Sequence, residues 1–156
     1  MKILSRKETA EIEERIQDVY GTEDCLKEFV VLITGKEDKI WLASRKIFEL
    51  NLEALRIDSI GLYFGRVDCG RLRLSVEGAG IVGPKAKKNI AEIDENAIWD
   101  FLRGFNVAPS KLIEAEERCY VLVKHKDCFI SVAKLENGML ISVLPKSRKI
   151  ISLTKQ

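Results

Sequence analysis

The sequence predicts an α+β fold, with an N-terminal mixed α/β domain that carries an antiparallel sheet and a C-terminal small β-barrel. Three observations support this fold class. A capping box at Ser5 and Glu8 opens an amphipathic helix, short β-branched runs follow it, and several closely spaced strand candidates occupy the chain after Pro109. We therefore predict an α+β domain at residues 1–86 and a β-barrel domain at residues 87–156.

The N-terminal part is predicted to form a helix, two strands and a second helix. Helical spacing of apolar residues after the capping box predicts a helix that ends at Gly21. Continuous apolar runs predict buried strands at 28–34 and 39–43. Ser44 is expected to cap a second helix, whose apolar stripe continues to Leu55.

A hairpin follows these elements. Residues 59–67 and 71–76 flank a turn at 68–70, and the second arm alternates between apolar and polar side chains. This alternation predicts a hairpin with one solvent-facing side. Gly61 and Gly65 lie inside the first arm, where glycine indicates a bulge or a close approach of another backbone.

The C-terminal part is predicted to contain mostly short strands. The glycine-rich stretch 78–84 interrupts the pattern, and we place the domain boundary close behind it. A short strand at 89–93 follows, and then a short helix capped by Asp94 and ended by Gly104. Asn137 and Gly138 form a strong hairpin signal. The later strand candidates are 111–115, 119–124, 129–135, 139–144 and, as a fifth, 150–153.

The net charge of +2 comes from 26 basic and 24 acidic residues, and it does not indicate a broadly basic surface. Its distribution is uneven, because residues 1–86 hold 14 basic and 15 acidic side chains and residues 87–156 hold 12 and 9. After Glu136 every charged side chain is a cation. Cations are therefore concentrated in the C-terminal part, where a nucleic acid would be held.

Candidate catalytic and metal-binding groups are few. The sequence contains neither a glycine-rich cofactor loop nor a nucleophile elbow. The four cysteines are separated by 44, 50 and 9 residues and form no C-x-x-C pair, and we expect Cys119 and Cys128 to be buried thiols. His125 is the only histidine and is expected to be exposed at a charged hairpin tip. These features predict a protein that is not an enzyme and has neither a cofactor nor a metal ion.

The localisation that the sequence predicts is cytoplasmic. No apolar run approaches the roughly 20 residues that span a bilayer. The N-terminal residues lack the apolar core of a secretory signal peptide. A reducing compartment is the default for such a chain.

The most informative cluster for binding is Lys146, Ser147, Arg148 and Lys149, which follows Pro145. A turn that begins at proline presents three cations and a hydroxyl together, which suits a nucleic-acid backbone. Further candidates are Lys87 and Lys88, in a second basic cluster, and Arg103, beside a short helix. Two aromatic residues of that helix, Trp99 and Phe101, are interpreted as core residues.

A succession of segments resembles a known family. It comprises Phe64-Gly65-Arg66 with the strand at 71–74, the stretch 83–88, and residues 99–107. In this order they resemble the two-domain PUA proteins of ribosome biogenesis, which act in pre-rRNA processing and large-subunit maturation in eukaryotes and have archaeal counterparts. The resemblance implies an α+β pre-PUA domain followed by a PUA barrel. The stretch 144–149 resembles a basic segment of archaeal members, which implies RNA contact by Lys146, Arg148 and Lys149.

The same layout is similar to the RNA-binding C-terminal region of bacterial 16S rRNA cytosine-5 methyltransferases, although the sequence shows no methyltransferase module. The resemblance implies a non-catalytic RNA-binding adaptor in ribosome biogenesis or rRNA processing and modification, with rRNA as its RNA and a protein partner bound through the N-terminal domain. Two alternatives stay open. One is a protein–protein adaptor that reads no RNA, and the other is an accessory RNA-binding subunit of an rRNA or tRNA methyltransferase.

Overall fold

The computed structural model describes residues 1–35, 39–51 and 59–151. Within these residues the chain forms two five-stranded sheets and three α-helices. In chain order the elements are β1 (Lys2–Ile3), α1 (Arg6–Tyr20), β2 (Val30–Thr34), β3 (Lys39–Ala43), β4 (Leu62–Asp68), β5 (Arg71–Leu74), α2 (Val76–Val82), β6 (Ile90–Glu92), α3 (Glu95–Arg103), β7 (Lys111–Ile113), β8 (Tyr120–His125), β9 (Cys128–Glu136) and β10 (Met139–Ser142).

The first sheet is antiparallel throughout, in the order β1-β2-β3-β4-β5. Helix α1 begins with the predicted capping box and ends at Gly21 in the left-handed conformation, as its sequence predicts. The two-residue strand β1 is too short to give a sequence signal, and it adds an edge to β2.

The predicted hairpin is confirmed as β4 and β5, joined at Cys69 and Gly70, which both have positive φ. The prediction of close backbone approach at the two strand glycines is also confirmed. A Cβ on Gly61 would lie 2.1 Å from the Leu42 carbonyl oxygen, and one on Gly65 would lie 2.4 Å from the Arg73 carbonyl oxygen. Only glycine therefore fits between these neighbouring strands.

The second sheet has the order β10-β9-β8-β6-β7, with β6 parallel to β8 and the other neighbours antiparallel. All four main strand predictions after Pro109 are confirmed, with shifted ends. Asn137 and Gly138 both adopt positive φ between β9 and β10, as the hairpin signal requires. Among the described residues the sheet is open, with β10 and β7 at its edges, so the predicted barrel closure is not confirmed.

Most of the glycine-rich stretch that precedes the predicted domain boundary is helical, as α2. Ser75 caps this helix, because its hydroxyl accepts from the Gly78 amide at 2.9 Å and donates to the Tyr63 carbonyl at 2.6 Å. Glycine lowers helix propensity, but here it lets the helix lie directly against β4. A Cβ on Gly78 would stand 2.2 Å from the Phe64 carbonyl oxygen.

One apolar cluster joins the two halves of the chain. It contains Phe64 and Leu72 of the first sheet together with Leu122 and Val132 of the second. The hydroxyl of buried Tyr20 also donates to the Tyr120 carbonyl at 3.3 Å, and burial raises the pKa of Tyr20. The two sheets are therefore held against each other by burial of shared side chains.

The described part of the predicted second helix is not α-helical. Arg45–Glu49 forms a 3₁₀ turn, and Ser44 makes no capping hydrogen bond with its side chain. Ile47 is buried, but Phe48 is 65% exposed, so the described part of the predicted stripe does not face one core. The part of that stripe at 52–58 and the end of the fifth strand candidate at 152–153 lie outside the described residues, and Ile150 and Ile151 are not in a strand.

The two cysteines that were expected to be buried differ in exposure. Cys119 is half-buried, whereas Cys128 is exposed at the start of β9, so the prediction of a buried thiol was wrong there. Cys128 occupies the first position of its strand, where a side chain is less covered than at the centre of a sheet.

None of the described helices is long and apolar enough to cross a bilayer.

Candidate nucleic-acid interface

The basic segment at 146–149 forms the predicted turn. Pro145 is extended, with φ −60° and ψ 148°, and Lys146–Arg148 makes a single 3₁₀ turn after it. The Arg148 amide donates to the Pro145 carbonyl at 2.9 Å, and the Lys149 amide donates to the Lys146 carbonyl at 3.3 Å. Lys146 is exposed and Lys149 is half-buried. The turn therefore presents Lys146 to solvent and lays Lys149 against the protein.

Helix α3 meets this turn at its C-terminal end. Asp94 caps the helix by accepting from the Asn96 and Ala97 amides, and Gly104 ends it with φ 91°. The side chain of Lys149 lies across Gly104, since a Cβ there would come within 2.4 Å of Lys149 Cε. The cation thus occupies the negative end of the helix dipole.

The contact between turn and helix brings together two groups of predicted residues. The Ile150 amide donates to the Leu102 carbonyl at 2.9 Å, which ties the segment after the turn to the last turn of α3. Arg103 lies beside this junction, exposed, with its Nη1 3.6 Å from Asp100 Oδ1. Arg103 and Lys149 therefore lie at the same end of α3, although 45 residues separate them in sequence. We call the region formed by exposed Arg103, exposed Lys146 and half-buried Lys149 the basic surface.

Two exposed aromatic side chains lie on or next to α3. Phe101 is fully buried, which confirms its interpretation as a core residue. Trp99 is 55% exposed, so the same interpretation was wrong for it, and Phe105 beyond the helix is 60% exposed. Helix α3 is short and packs on one side only, which leaves Trp99 facing away from the core. Exposed aromatic rings beside cations are suited to stacking on unpaired bases.

Arg148 contacts a different part of the molecule from Lys149. Its guanidinium forms an ion pair with Glu77 of α2, and its side chain is 54% exposed. Arg148 therefore connects the turn to the helix that packs against the first sheet, and it differs in its contacts from Lys149.

Lys87 and Lys88 belong to another part of the molecule. Their amides donate to the Tyr20 carbonyl at 2.9 and 3.3 Å, and their side chains lie near Gly21. Lys85 Nζ donates to the Asp24 carbonyl at 3.2 Å. This cluster contacts the C-terminal end of α1, whereas Lys149 contacts the end of α3.

A cleft of about 760 Å³ lies between the first sheet and the segment leading into the basic turn. Sequence reasoning missed it, because its residues are far apart in the chain. The signal that was available is the alternation of β5, which places arginines on one face. Its charged and aromatic lining residues are Trp41, Tyr63, Arg66, Arg73, Glu77 and Arg148.

His125 is not exposed as expected, because its side chain is only 13% accessible. Its Nδ1 lies 3.0 Å from the Ile93 carbonyl oxygen and its Nε2 lies 3.3 Å from Glu95 Oε2. Glu95 is itself exposed and also pairs with Lys126 Nζ at 2.9 Å, which lowers the pKa of Glu95 and raises that of Lys126. This arrangement is a surface ion-pair cluster.

The remaining candidates for chemistry are the thiols and metal ligands. Burial raises the pKa of the Cys25 and Cys119 thiols, which disfavours the reactive thiolate. Across 1–35, 39–51 and 59–151 no three His, Cys, Asp or Glu side chains come together as a metal site would require.

Comparisons with known proteins identify the fold. No protein-family model matches the sequence, and no curated protein matches it. Among solved structures, the chain is similar to a conserved PUA domain protein from Thermoplasma acidophilum, with a TM-score of 0.60 and 14% sequence identity. The similarity covers 94% of this chain and 95% of that chain. The chain therefore has a PUA-type fold with helices and mainly antiparallel sheets.

Proposed function

We propose that the protein is a non-catalytic RNA-binding protein that holds RNA on the basic surface and acts as an adaptor in ribosome biogenesis or rRNA processing. The observation that carries this proposal is that Arg103 and Lys149 meet at the end of α3, with exposed Lys146 in the adjoining 3₁₀ turn, within a PUA-type fold. Cations of this kind position an RNA backbone, and the exposed rings of Trp99 and Phe105 can stack on unpaired bases.

The proposal excludes Lys87 and Lys88 from the primary contact, although the sequence ranks them as second candidates. Their contacts with the end of α1 give them a structural role, since lysine side chains stabilise the negative end of a helix dipole. Arg148 contributes through its position at the cleft and not through the basic surface.

Binding to single-stranded rRNA fragments at several salt concentrations tests the proposal. Three or four phosphate contacts predict a slope of about −2 to −3 in a plot of log affinity against log salt. Replacing Lys146 and Lys149 by alanine should reduce this slope by about 1.4, or about 0.7 for each lost contact.

A matched control removes the same charge elsewhere. Lys27 and Lys46 are exposed in the N-terminal part, and the Lys27→Ala/Lys46→Ala variant should keep the wild-type slope. Equal slopes for the two double variants would show that binding is non-specific and would refute the basic surface as the site.

The exposed apolar side chains of the N-terminal part favour a second function, in which the chain binds a protein. Phe48, Leu50 and Phe29 are all exposed, and Phe48 lines a groove of about 580 Å³ with Phe29. Apolar surface of this kind is typical of protein contacts. If the wild-type protein shows no salt-sensitive RNA binding, a protein–protein adaptor becomes the better proposal, and Phe48→Ser should then abolish binding to the protein that copurifies with the wild-type chain.

A further inference from the structure

Four side chains of the first sheet share the face that lines the cleft. In the strand register Trp41 lies opposite Tyr63, and Arg66 lies opposite Arg73. A bulge between Ile40 and Trp41 brings the two pairs onto one face. The opposite face carries the buried side chains of the shared apolar cluster.

The aromatic pair borders the cleft as two rings tilted towards each other. The rings of Trp41 and Tyr63 have centroids 5.2 Å apart and are tilted by 54°. The Trp41 indole N–H donates to Thr34 Oγ1 at 2.8 Å, which sets the orientation of the ring. Both side chains are half-buried and border the cleft, so each is available to a planar ligand at the cleft side.

The guanidinium groups give the cleft a positive potential. Arg73 Nη2 donates to the Val143 carbonyl at 2.6 Å, and Arg66 Nη2 lies 3.5 Å from Asp68 Oδ2. Arg66 and Arg73 lie directly opposite each other, where like charges repel, and Asp68 beside Arg66 offsets part of that repulsion. Arg148 adds a third cation on the other wall, and Glu77 is the acidic residue in the described lining.

We propose that this cleft binds one nucleotide of a single RNA strand, with the base against Trp41 and Tyr63 and the phosphate at Arg66 and Arg73. This inference rests on the proposed function and adds a second contact to it. The cleft volume of about 760 Å³ falls within the range of about 300–1,000 Å³ of ligand sites. Aromatic rings beside guanidinium groups match a base joined to a phosphate, whereas an acidic peptide would use only the arginines.

The cleft is continuous with the basic surface through the 3₁₀ turn. Arg148 lines the cleft, and its neighbours Lys146 and Lys149 belong to the basic surface. A strand held by the two lysines would therefore lie next to Ser147 and Arg148, which line the cleft. Proteins recognise single-stranded RNA by stacking aromatic side chains on bases that are turned out of the strand. The aromatic residues of the cleft could bind a base in this way.

Trp41 fluorescence provides the test, because the chain has two tryptophans and Trp99→Phe leaves Trp41 as the reporter. In this background a short oligoadenylate should quench the Trp41 emission as the base stacks. Tyr63→Leu should weaken binding about 5- to 150-fold, the equivalent of about 1–3 kcal/mol for one stacked base, and Tyr63→Phe should bind like the parent. Arg66→Gln should reduce the salt slope by about 0.7. Circular dichroism and urea denaturation verify that each variant is folded.

The outcomes separate this inference from the proposed function. If fluorescence anisotropy of a labelled oligoadenylate shows no binding to the wild-type chain, the proposed function fails. If the oligonucleotide binds but the Trp41 emission and the affinities of the Tyr63→Leu and Arg66→Gln variants are unchanged, the cleft inference alone is overturned. Lys146→Ala/Lys149→Ala should lower the affinity and leave the quenching at saturation intact.

The ligand class has its own controls. Adenosine monophosphate should quench Trp41 only at much higher concentration than the oligoadenylate, because it lacks the contacts of the adjoining strand. Equal affinity for the mononucleotide would overturn the assignment to an RNA strand. Displacement of the oligoadenylate by inorganic phosphate or by a polyglutamate peptide, at concentrations comparable to its own, would overturn the assignment of a base-binding site.

Discussion

Helix α2 offers a direct test of the packing that joins the two halves of the chain. It contains two glycines, Gly78 and Gly80, two residues apart and in the same helical backbone. Gly78 is buried against β4, and Gly80 is exposed. The perturbation is a single alanine at each position, which adds the same methyl group to two different environments.

The expected magnitudes follow from what each methyl group would meet. At Gly80 nothing lies within 4 Å of the added Cβ, so alanine should stabilise the protein by about 0.5–1 kcal/mol through helix propensity alone. At Gly78 the Cβ would lie 2.2 Å from the Phe64 carbonyl oxygen, a backbone atom that cannot rotate away. Overpacking of this kind costs about 1–3 kcal/mol. Since the propensity gain is the same in both variants, their difference measures the packing cost.

Urea denaturation followed by circular dichroism gives the free energy of unfolding of the two variants and the wild-type chain. The Gly78→Ala variant should be less stable than Gly80→Ala by about 1–3 kcal/mol. Similar m-values are required for the comparison, because they show that the surface exposed on unfolding is unchanged. Equal stabilities of the two variants would refute the close packing of α2 on β4.

Three other predictions concern single positions. The side-chain hydrogen bond from Lys2 holds the pKa of Glu8 at about 2 instead of 4.5. The stabilisation by the ionised Glu8 side chain is therefore complete above about pH 4.5 and is lost as the pH falls towards 2. The Glu8→Gln variant should lose less unfolding free energy across that pH window than the wild-type chain, as measured by urea titrations at a series of pH values. Asp94→Ala removes the cap of α3 and should lower the unfolding free energy by about 0.5–2 kcal/mol in the same assay, whereas Asp94→Asn should retain most of it. Gly83→Ala would place a Cβ 2.1 Å from Phe129 Cγ and should cost about 1–3 kcal/mol, and a Gly83→Ala/Phe129→Leu double variant should recover part of that loss.

Elements whose stability is local were predictable. The capping box and the terminal glycine of α1 act within one or two helical turns, and the turns at Cys69-Gly70 and Asn137-Gly138 need positive φ at adjacent residues. Helix α2 was not predictable, because its stability comes from contact with Phe64 and from the Ser75 cap and not from its own glycine-rich composition.

The candidate sites divide in the same way. The turn after Pro145 could be predicted, since proline and the basic residues that follow it are adjacent in the chain. The packing of Lys149 on Gly104 and the pairing of Arg148 with Glu77 join residues that are far apart, and neither has a sequence signal. The exposure of Trp99 likewise depends on which residues pack against α3, and the spacing of apolar residues along the helix does not show this.

The sequence by itself determined an α+β class, most of the strands, two of the three helices and the concentration of cations after Glu136. Tertiary structure alone decided that the halves share one apolar cluster, that the second sheet is open in the described residues, and that Trp41, Tyr63, Arg66 and Arg73 line one cleft. The physical reason is that capping and turn formation depend on neighbouring residues. Register, bulges and the covering of surfaces depend instead on contacts between residues that are distant in sequence.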